Sequence, residues 1–442
     1  MKRHIKFMVL SLCLIFVSAS AYAVEFGDVS TGNSVAIHGY ISQGYLKSID
    51  NNFYGETNEG GTADFSEAAF NIGTDVSDKL HIGMQILSRK LGDFGKGKVE
   101  IDWGYADYRY KDWLGIRAGK MKLVHGLYNE TRDVDFLRTS IFLPQSIYNE
   151  AWRDTVAAVQ GAELYGDVYL GMAGSLNYRL QGGDCAYPVD SGVATTTEDQ
   201  ARLLGMEYDA KDYFSKYGAS SALVWTTPID GLRLSLTGWV IEFKLEGDAT
   251  ALPGLSATTG GAIKSGQALG QVDVQTRSAE WTGSLEYTIG DLVIAGEYSI
   301  NDYDFWKTVY GDQLQAIVGT EPIHSTLSTE GYYGSLTYRF TDWFEAGTYY
   351  SVYYADRDDK DGELNKSGAR AANGYHDYDS WLKDLALSLK FNVTDNWVFK
   401  LEGHKMNGAA ILTKSVNTLP STGKLDTTED WYLYAMKLTF SF

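Results

Sequence analysis

The sequence predicts an all-β fold: a transmembrane antiparallel β-barrel of sixteen strands with one long loop folded into its lumen. Three observations carry this. In Trp431–Phe442, Tyr432, Tyr434, Met436, Leu438, Phe440 and Phe442 alternate with Ala435, Lys437, Thr439 and Ser441, so a strand here has one apolar and one polar face. A soluble sandwich strand could alternate in the same way, so the pattern must recur along the chain. It does: short aspartate-centred segments at Asp78, Asp112, Asp167, Asp230, Asp291, Asp342 and Asp395 each lie between two alternating runs, the signature of hairpin turns. The third observation is the segregation of connection lengths. Those seven links are short, while the links between successive hairpins (48–62, 91–98, 124–153, 181–212, 248–270, 306–328, 358–378 and 409–430) are long and polar.

Taken in order, residues 1–23 form a targeting segment. Lys2, Arg3 and Lys6 precede an apolar run from Phe7 to Val17, and Ala21-Tyr22-Ala23 supplies a cleavage site. Losing those three cations takes the formal charge from −19 to −22. No later window approaches the ~20 consecutive apolar residues of a spanning helix. Residues 24–442 are then a single barrel, with strands from about 35 to 442. Only Cys185 survives in the mature chain, which excludes an intrachain disulfide. The 31 tyrosines suit a wall that meets the membrane–water boundary on both sides.

Seven hairpins, a first strand at Val35–Leu46 and the last at Tyr432–Phe442 give sixteen strands. Parity assigns their faces. Leu232, Leu234, Leu236, Gly238 and Val240 point to lipid, with Arg233, Ser235 and Thr237 inward. In the same way Leu385, Leu387, Leu389 and Phe391 oppose Asp384, Ser388 and Lys390, and Trp397, Phe399 and Leu401 oppose Lys400, Glu402 and His404. Trp113, Trp343, Trp397, Tyr110 and Phe340, beside the turns, form an aromatic girdle. Inner faces that carry charge imply a wet lumen. The strands Thr155–Leu164 and Gly218–Thr227 hold too much Ala and Ser to fix their faces, and a one-residue slip would exchange them.

The closing strand resembles the last strand of bacterial outer-membrane barrels, which pairs with the first and carries the assembly signal. The connection 124–153 is unlike the other loops: Phe136, Leu137, Ile141, Phe142, Leu143 and Ile147 lie among its charges. A loop folded inside and packed on the wall has a use for them. With the preceding IRAGKMKLVHGLYNETRD, it resembles the third, constriction loop of sixteen-stranded Gram-negative porins. The resemblance implies an outer-membrane channel for passive diffusion of ions and small hydrophilic solutes. It also implies outer-membrane lipids, the barrel-assembly machinery and a homotrimer as partners, and no catalysis. Nothing points to a nucleic-acid partner.

The constriction is expected where an acidic loop edge (Glu130, Asp133, Asp135, with Arg132 and Arg138 beside it) faces a basic strip of Lys390, Lys400 and Lys437, with Arg117 at similar depth on another part of the wall. Charged walls flanked by low-dielectric protein focus such a transverse field. Loop carboxylates more than about 8 Å from the pore are largely screened, so the net charge does not by itself predict a cation channel. Other classes fit less well. No serine sits in a GxSxG elbow and no HExxH helix exists, leaving no constellation for a hydrolase. No cofactor or metal site is expected: the acidic run Asp356–Glu363 lacks the fixed offsets of an EF-hand. A gated receptor of about 22 strands needs a longer chain and a plug domain. A closed structural or adhesive barrel remains the alternative.

Overall fold

The computed structural model describes residues 26–27, 34–153, 158–185, 192–312, 315 and 319–442; the expected signal segment 1–23 lies outside them. Sixteen long antiparallel strands close into a ring: β1 (Ser34–Ile49), β2 (Phe65–Ser77), β3 (Leu80–Leu91), β4 (Val99–Lys111), β5 (Leu114–Lys122), β6 (Ala158–Tyr169), β7 (Ser175–Asp184), β8 (Met206–Thr226), β9 (Leu232–Ala251), β10 (Ala268–Ile289), β11 (Leu292–Tyr310), β12 (Ile323–Thr341), β13 (Phe344–Tyr354), β14 (Trp381–Thr394), β15 (Trp397–Asn407) and β16 (Asp430–Ser441). Each pairs with its sequence neighbour, and β16 pairs with β1 from Tyr432↔Ile49 to Ser441↔Tyr40. Phe442 completes the seam: its N–H donates to Gly39 O (3.0 Å) and its carbonyl accepts from Gly39 N (3.1 Å). Closure leaves no strand edge unpaired, which a lipid environment requires. A two-residue strand, Phe26–Gly27, adds to the N-terminal end of β1, on the short-turn side.

Six of the seven aspartates lie at turns as expected. Asp167 does not. It is inside β6 opposite Asn177, whose Nδ2 donates to it at 2.9 Å, and Arg109 donates to it at 3.2 Å. The turn is displaced to Leu170–Gly174 because the left-handed residues are there: Gly171 (φ 65°) and Gly174 (φ 88°). A Cβ at Gly174 would meet Thr226 O at 2.0 Å, so the chain reverses only where glycine permits.

The lipid-facing parity holds in every strand where the sequence assigns it. Leu236, Leu387, Phe340 and Trp343 are each more than half exposed on the outer surface, whereas Asp384, Ser388, Lys390, Lys400 and His404 are buried inside. Strand length is the correction. β8 to β12 run 19–22 residues, about twice the 9–11 needed to cross a bilayer. Strand ends therefore reach into the expected loops 181–212, 248–270 and 306–328, at 181–184 and 206–212, 248–251 and 268–270, and 306–310 and 323–328. They were hidden by a change of polarity at constant parity. On β9 the outward series Leu232, Leu234, Leu236, Gly238, Val240 continues as Glu242, Lys244, Glu246, Asp248. The inward series Arg233, Ser235, Thr237 continues as Trp239, Ile241, Phe243, Leu245. On β11 Tyr298 and Ile300 face out below Asp302 and Asp304, and Glu297, Ser299 and Asn301 face in below Tyr303 and Phe305. The outer solvent changes from lipid to water near Val240 and Ile300, and the inner face becomes apolar at the same level.

The lumen is accordingly wet only in part. Above that level Ile241, Phe243, Leu245, Val272, Val274, Tyr303 and Phe305 form one buried apolar core with Ala201 of helix α1 (Gly192–Leu203). Leu46, Leu382, Met406, Trp431 and Leu433 form a second with Phe53 and Tyr54 from the first long loop and Ile411 and Leu412 from the last. Cys185 lies in the first core, 1% exposed.

Candidate functional site

The connection between β5 and β6 enters the barrel and crosses it. Ile141, Phe142, Leu143 and Ile147 are buried as the loop's apolar content demands, while Leu137 is 68% exposed, contrary to expectation. Wall side chains hold the loop on many strands. Glu402 of β15 accepts the N–H groups of Ile141 (2.7 Å) and Phe142 (2.9 Å), together with the Ser388 hydroxyl (2.6 Å). His404 backs Glu402 at 3.0 Å and meets Asp384 at 3.0 Å. Opposite, Glu297 of β11 accepts the hydroxyls of Tyr148 (2.5 Å), Tyr333 (2.8 Å) and Ser284 (2.6 Å) and the N–H of Leu127 (2.9 Å). Thr139 donates to Glu345 (2.9 Å) and Tyr128 to Glu286 (2.7 Å). His125, buried, pairs with Glu280 at 3.0 Å; burial opposes its protonation, and the Glu280 carboxylate overrides that and raises its pKa.

The acidic edge and the basic strip are both present, but they touch. Asp135 sits 2.8 Å from Lys437 Nζ and 3.5 Å from Lys400 Nζ, accepts from Thr439 (2.7 Å) and pairs with Arg138 (3.2 Å). Lys400 donates to Ser140 O (3.0 Å), and Lys390 to Phe136 O (2.7 Å) and Glu345 (3.2 Å). All three lysines are at most 4% exposed. No water-filled gap separates them from the loop, so they act as its anchor. Asp133 is likewise enclosed between Lys122 and Arg153. Arg132 is buried against Glu150 (2.9 Å). Glu130 stands apart, exposed and paired with Arg179 of β7. Arg117 binds Asp107 (2.8 Å) and Glu163 (3.0 Å) and lies over the Tyr165 ring, 4.3 Å from its centroid.

Sequence reasoning missed the members that join these pairs. Arg153 donates to Glu67 (2.5 Å) and lies 3.6 Å from Glu150; Arg89 meets Glu150 at 2.6 Å and Glu67 at 3.7 Å; Glu67 closes the circuit on Lys437 at 2.5 Å; Lys122 reaches Asp102 at 3.5 Å. One buried network thus links β2, β3, β4, β5, β15, β16 and both ends of the loop. Burial alone would raise the loop carboxyls. Asp133 is instead held below its ordinary range by Arg153 and Lys122, Asp135 by Lys437 and Lys400, and Glu150 by Arg132 and Arg89. A usable signal existed in the sequence: in the loop tail EAWRDT, Glu150 and Arg153 are opposite in sign to the inward Arg89 and Glu67 that they meet. Partner distance could not be read from it.

Above the loop the space narrows in steps. A cavity of about 650 Å³ opens among the long loops and shares Phe94, Thr195 and Thr413 with a chamber of about 120 Å³. That chamber shares Asn149, Trp152 and Tyr303 with one of about 50 Å³, which ends on Arg132 and Tyr148 of the loop.

No family model and no curated protein sequence matches this chain. Solved structures do. An anion-selective porin from Comamonas acidovorans aligns at 11% identity and a TM-score of 0.52, over 93% of this chain and 100% of the porin. Salmonella typhi OmpF in complex with daunomycin aligns at 11% identity and a TM-score of 0.52, over 95% and 100%. At this identity the likeness concerns the fold, and it agrees with the ring closure: the chain has the closed sixteen-stranded barrel fold of the outer-membrane porins.

Proposed function

We propose that the protein is an outer-membrane channel for passive diffusion of ions and small hydrophilic solutes, exported by a cleaved signal segment at residues 1–23, and that it performs no catalysis. The observation that carries this is the loop 124–153 inside the barrel, with cavities that shrink toward it from about 650 to about 50 Å³. Its narrowest point is the loop. The network around Asp133, Asp135, Arg132, Arg138, Lys390, Lys400 and Lys437 sets the width by fixing the loop, and Glu130 and Arg117 border the lumen on the short-turn side. Assembly as a homotrimer rests on the porin resemblance and is read by cross-linking in native membranes.

A second reading, a closed structural or adhesive barrel, is favoured by the apolar cores in the upper lumen. Planar-bilayer recording separates the two. The channel reading expects small discrete conductance steps that grow when Lys437→Gln and Asp135→Asn together loosen the loop. Silence in both proteins overturns it and leaves the closed barrel.

A further inference from the structure

The 120 Å³ chamber above the loop has features that neither a diffusion path nor a packed core requires. It is walled by aromatic rings: Tyr303 and Phe305 lie nearly parallel (2°, centroids 5.8 Å apart), with Trp152 5.9 Å from Tyr303 and Phe243 beside them. Into this apolar lining project polar atoms that no protein group satisfies. Thr276 Oγ1 and Tyr375 Oη line the chamber without a hydrogen-bond partner, in residues 1% and 7% exposed, and Trp239 Nε1, 6% exposed, does so in the adjoining 50 Å³ chamber. Arg132 Nε, in a residue lining the same 50 Å³ chamber, is likewise without a partner. Buried polar atoms are ordinarily paired, so these orphans among the described residues, along one connected space, point to an occupant that brings hydroxyl groups.

Size and charge narrow the occupant. Benzene occupies an apolar cavity of roughly 150 Å³, so 120 Å³ with its smaller annexe suits one six-membered ring. Asp199 and Asp379 line the chamber against a single cation, Lys414, 3.7 Å from Asp379. The balance disfavours an anion.

We propose that this chamber binds a neutral ring-shaped polyol of monosaccharide size. Its C–H faces lie on Trp152, Tyr303 and Phe305. Its hydroxyls accept from Trp239 Nε1–H and exchange hydrogen bonds with Thr276 and Tyr375. Binding here is a property of the upper lumen and holds whether or not solute passes the loop.

The test is equilibrium titration of the purified full-length barrel in detergent, followed by calorimetry and by tryptophan fluorescence. D-glucose is the ring probe, sorbitol the open-chain probe with the same hydroxyl chemistry, and benzoate the anionic ring. Saturable glucose binding is expected, at least tenfold weaker for sorbitol and for benzoate. Thr276→Val combined with Tyr375→Phe should weaken glucose tenfold or more while heat-modifiability is unchanged. Trp239→Phe supplies a second variant with the same expected direction should the first pair not assemble. Absence of saturable glucose binding overturns the proposal. So does sorbitol binding as tightly as glucose, which marks a site that reads hydroxyls without a ring, or full affinity in the variants, which places any binding elsewhere.

Discussion

The two halves of β9 obey opposite rules. Up to Val240 the outer face is apolar, over an inner face polar as far as Thr237; from Trp239 the inner face is apolar, and the outer face then carries Glu242, Lys244, Glu246 and Asp248. The parity of β9 and its ladder with β10 run unchanged as far as Ala249, while the ladder with β8 shifts by one residue at Glu242/Phe243 and again at Glu246/Gly247. What changes is the solvent on each side: lipid outside and hydrogen-bonded loop inside below, water outside and a dry core inside above. Amphipathic alternation therefore reports which medium a face meets, and a strand can change media without changing its own parity.

That contrast can be tested from both sides, and the largest effects come from its two interiors. Phe243, 1% exposed, belongs to the upper core; Phe243→Ala should cost about 3–5 kcal/mol and behave alike at low and high pH. Arg153 belongs to the lower network, and Arg153→Met strands the Glu67 and Asp133 carboxylates, again at about 3–5 kcal/mol. Its deficit should shrink in acid as those carboxylates protonate. Urea unfolding in lipid at two pH values measures both, and equal pH dependence would mean that the halves are not held by different forces.

Next come the outer faces. Leu236→Arg places a charge in the membrane and should cost roughly 2–4 kcal/mol, lowering the yield of heat-modifiable barrel. Lys244→Arg, four outward positions higher on the same strand, should leave the yield unchanged. If Leu236→Arg is tolerated as well, the boundary at Val240 is misplaced.

The loop gives a smaller effect with a definite sign. Asp133, Asp135 and Glu150 have pKa values depressed in the folded protein. Their contribution is complete above the unfolded values of roughly 4 and is lost only as pH falls through the depressed folded values. Pepsin at about pH 4 should therefore leave the Phe142–Leu143 bond intact, and cleavage should begin only in stronger acid. Ready cleavage at pH 4 would show a loop that is not locked. The smallest effect belongs to the outer ion pair Lys216–Glu242 at 2.9 Å: Lys216→Ala should cost about 0.2–1 kcal/mol, since water, not lipid, receives the unpaired carboxylate.

Much of the barrel was legible because its rules are local. Asp342 and Asp395 announce turns by their own chemistry, and the parity of Leu385, Leu387 and Leu389 gives the lipid face without knowledge of any partner. The top of the tall wall was not legible from a rule that equates apolar with lipid: DATA at 248–251 continues the strand, yet reads as the start of the polar connection 248–270. The infolded loop was visible in Ile141, Phe142, Leu143 and Ile147. Its charges were visible too, but sequence spacing says nothing of whether Asp135 and Lys437, some three hundred residues apart, stand across water or in contact.

Their contact has a consequence for the order in which the molecule is made. Glu67 lies on β2, Asp135 on the loop and Lys437 on β16, and the three meet only once the last strand has joined the first. In a chain halted before its final residues Glu67 keeps Arg89 and Arg153 and Asp135 keeps Arg138 and Lys400, but the one cation that joins the two carboxylates is missing, so the bridge from β2 to the loop closes only with the seam. The lock thus senses completion: a barrel whose loop resists attack from the lumen is one whose ends have already found each other.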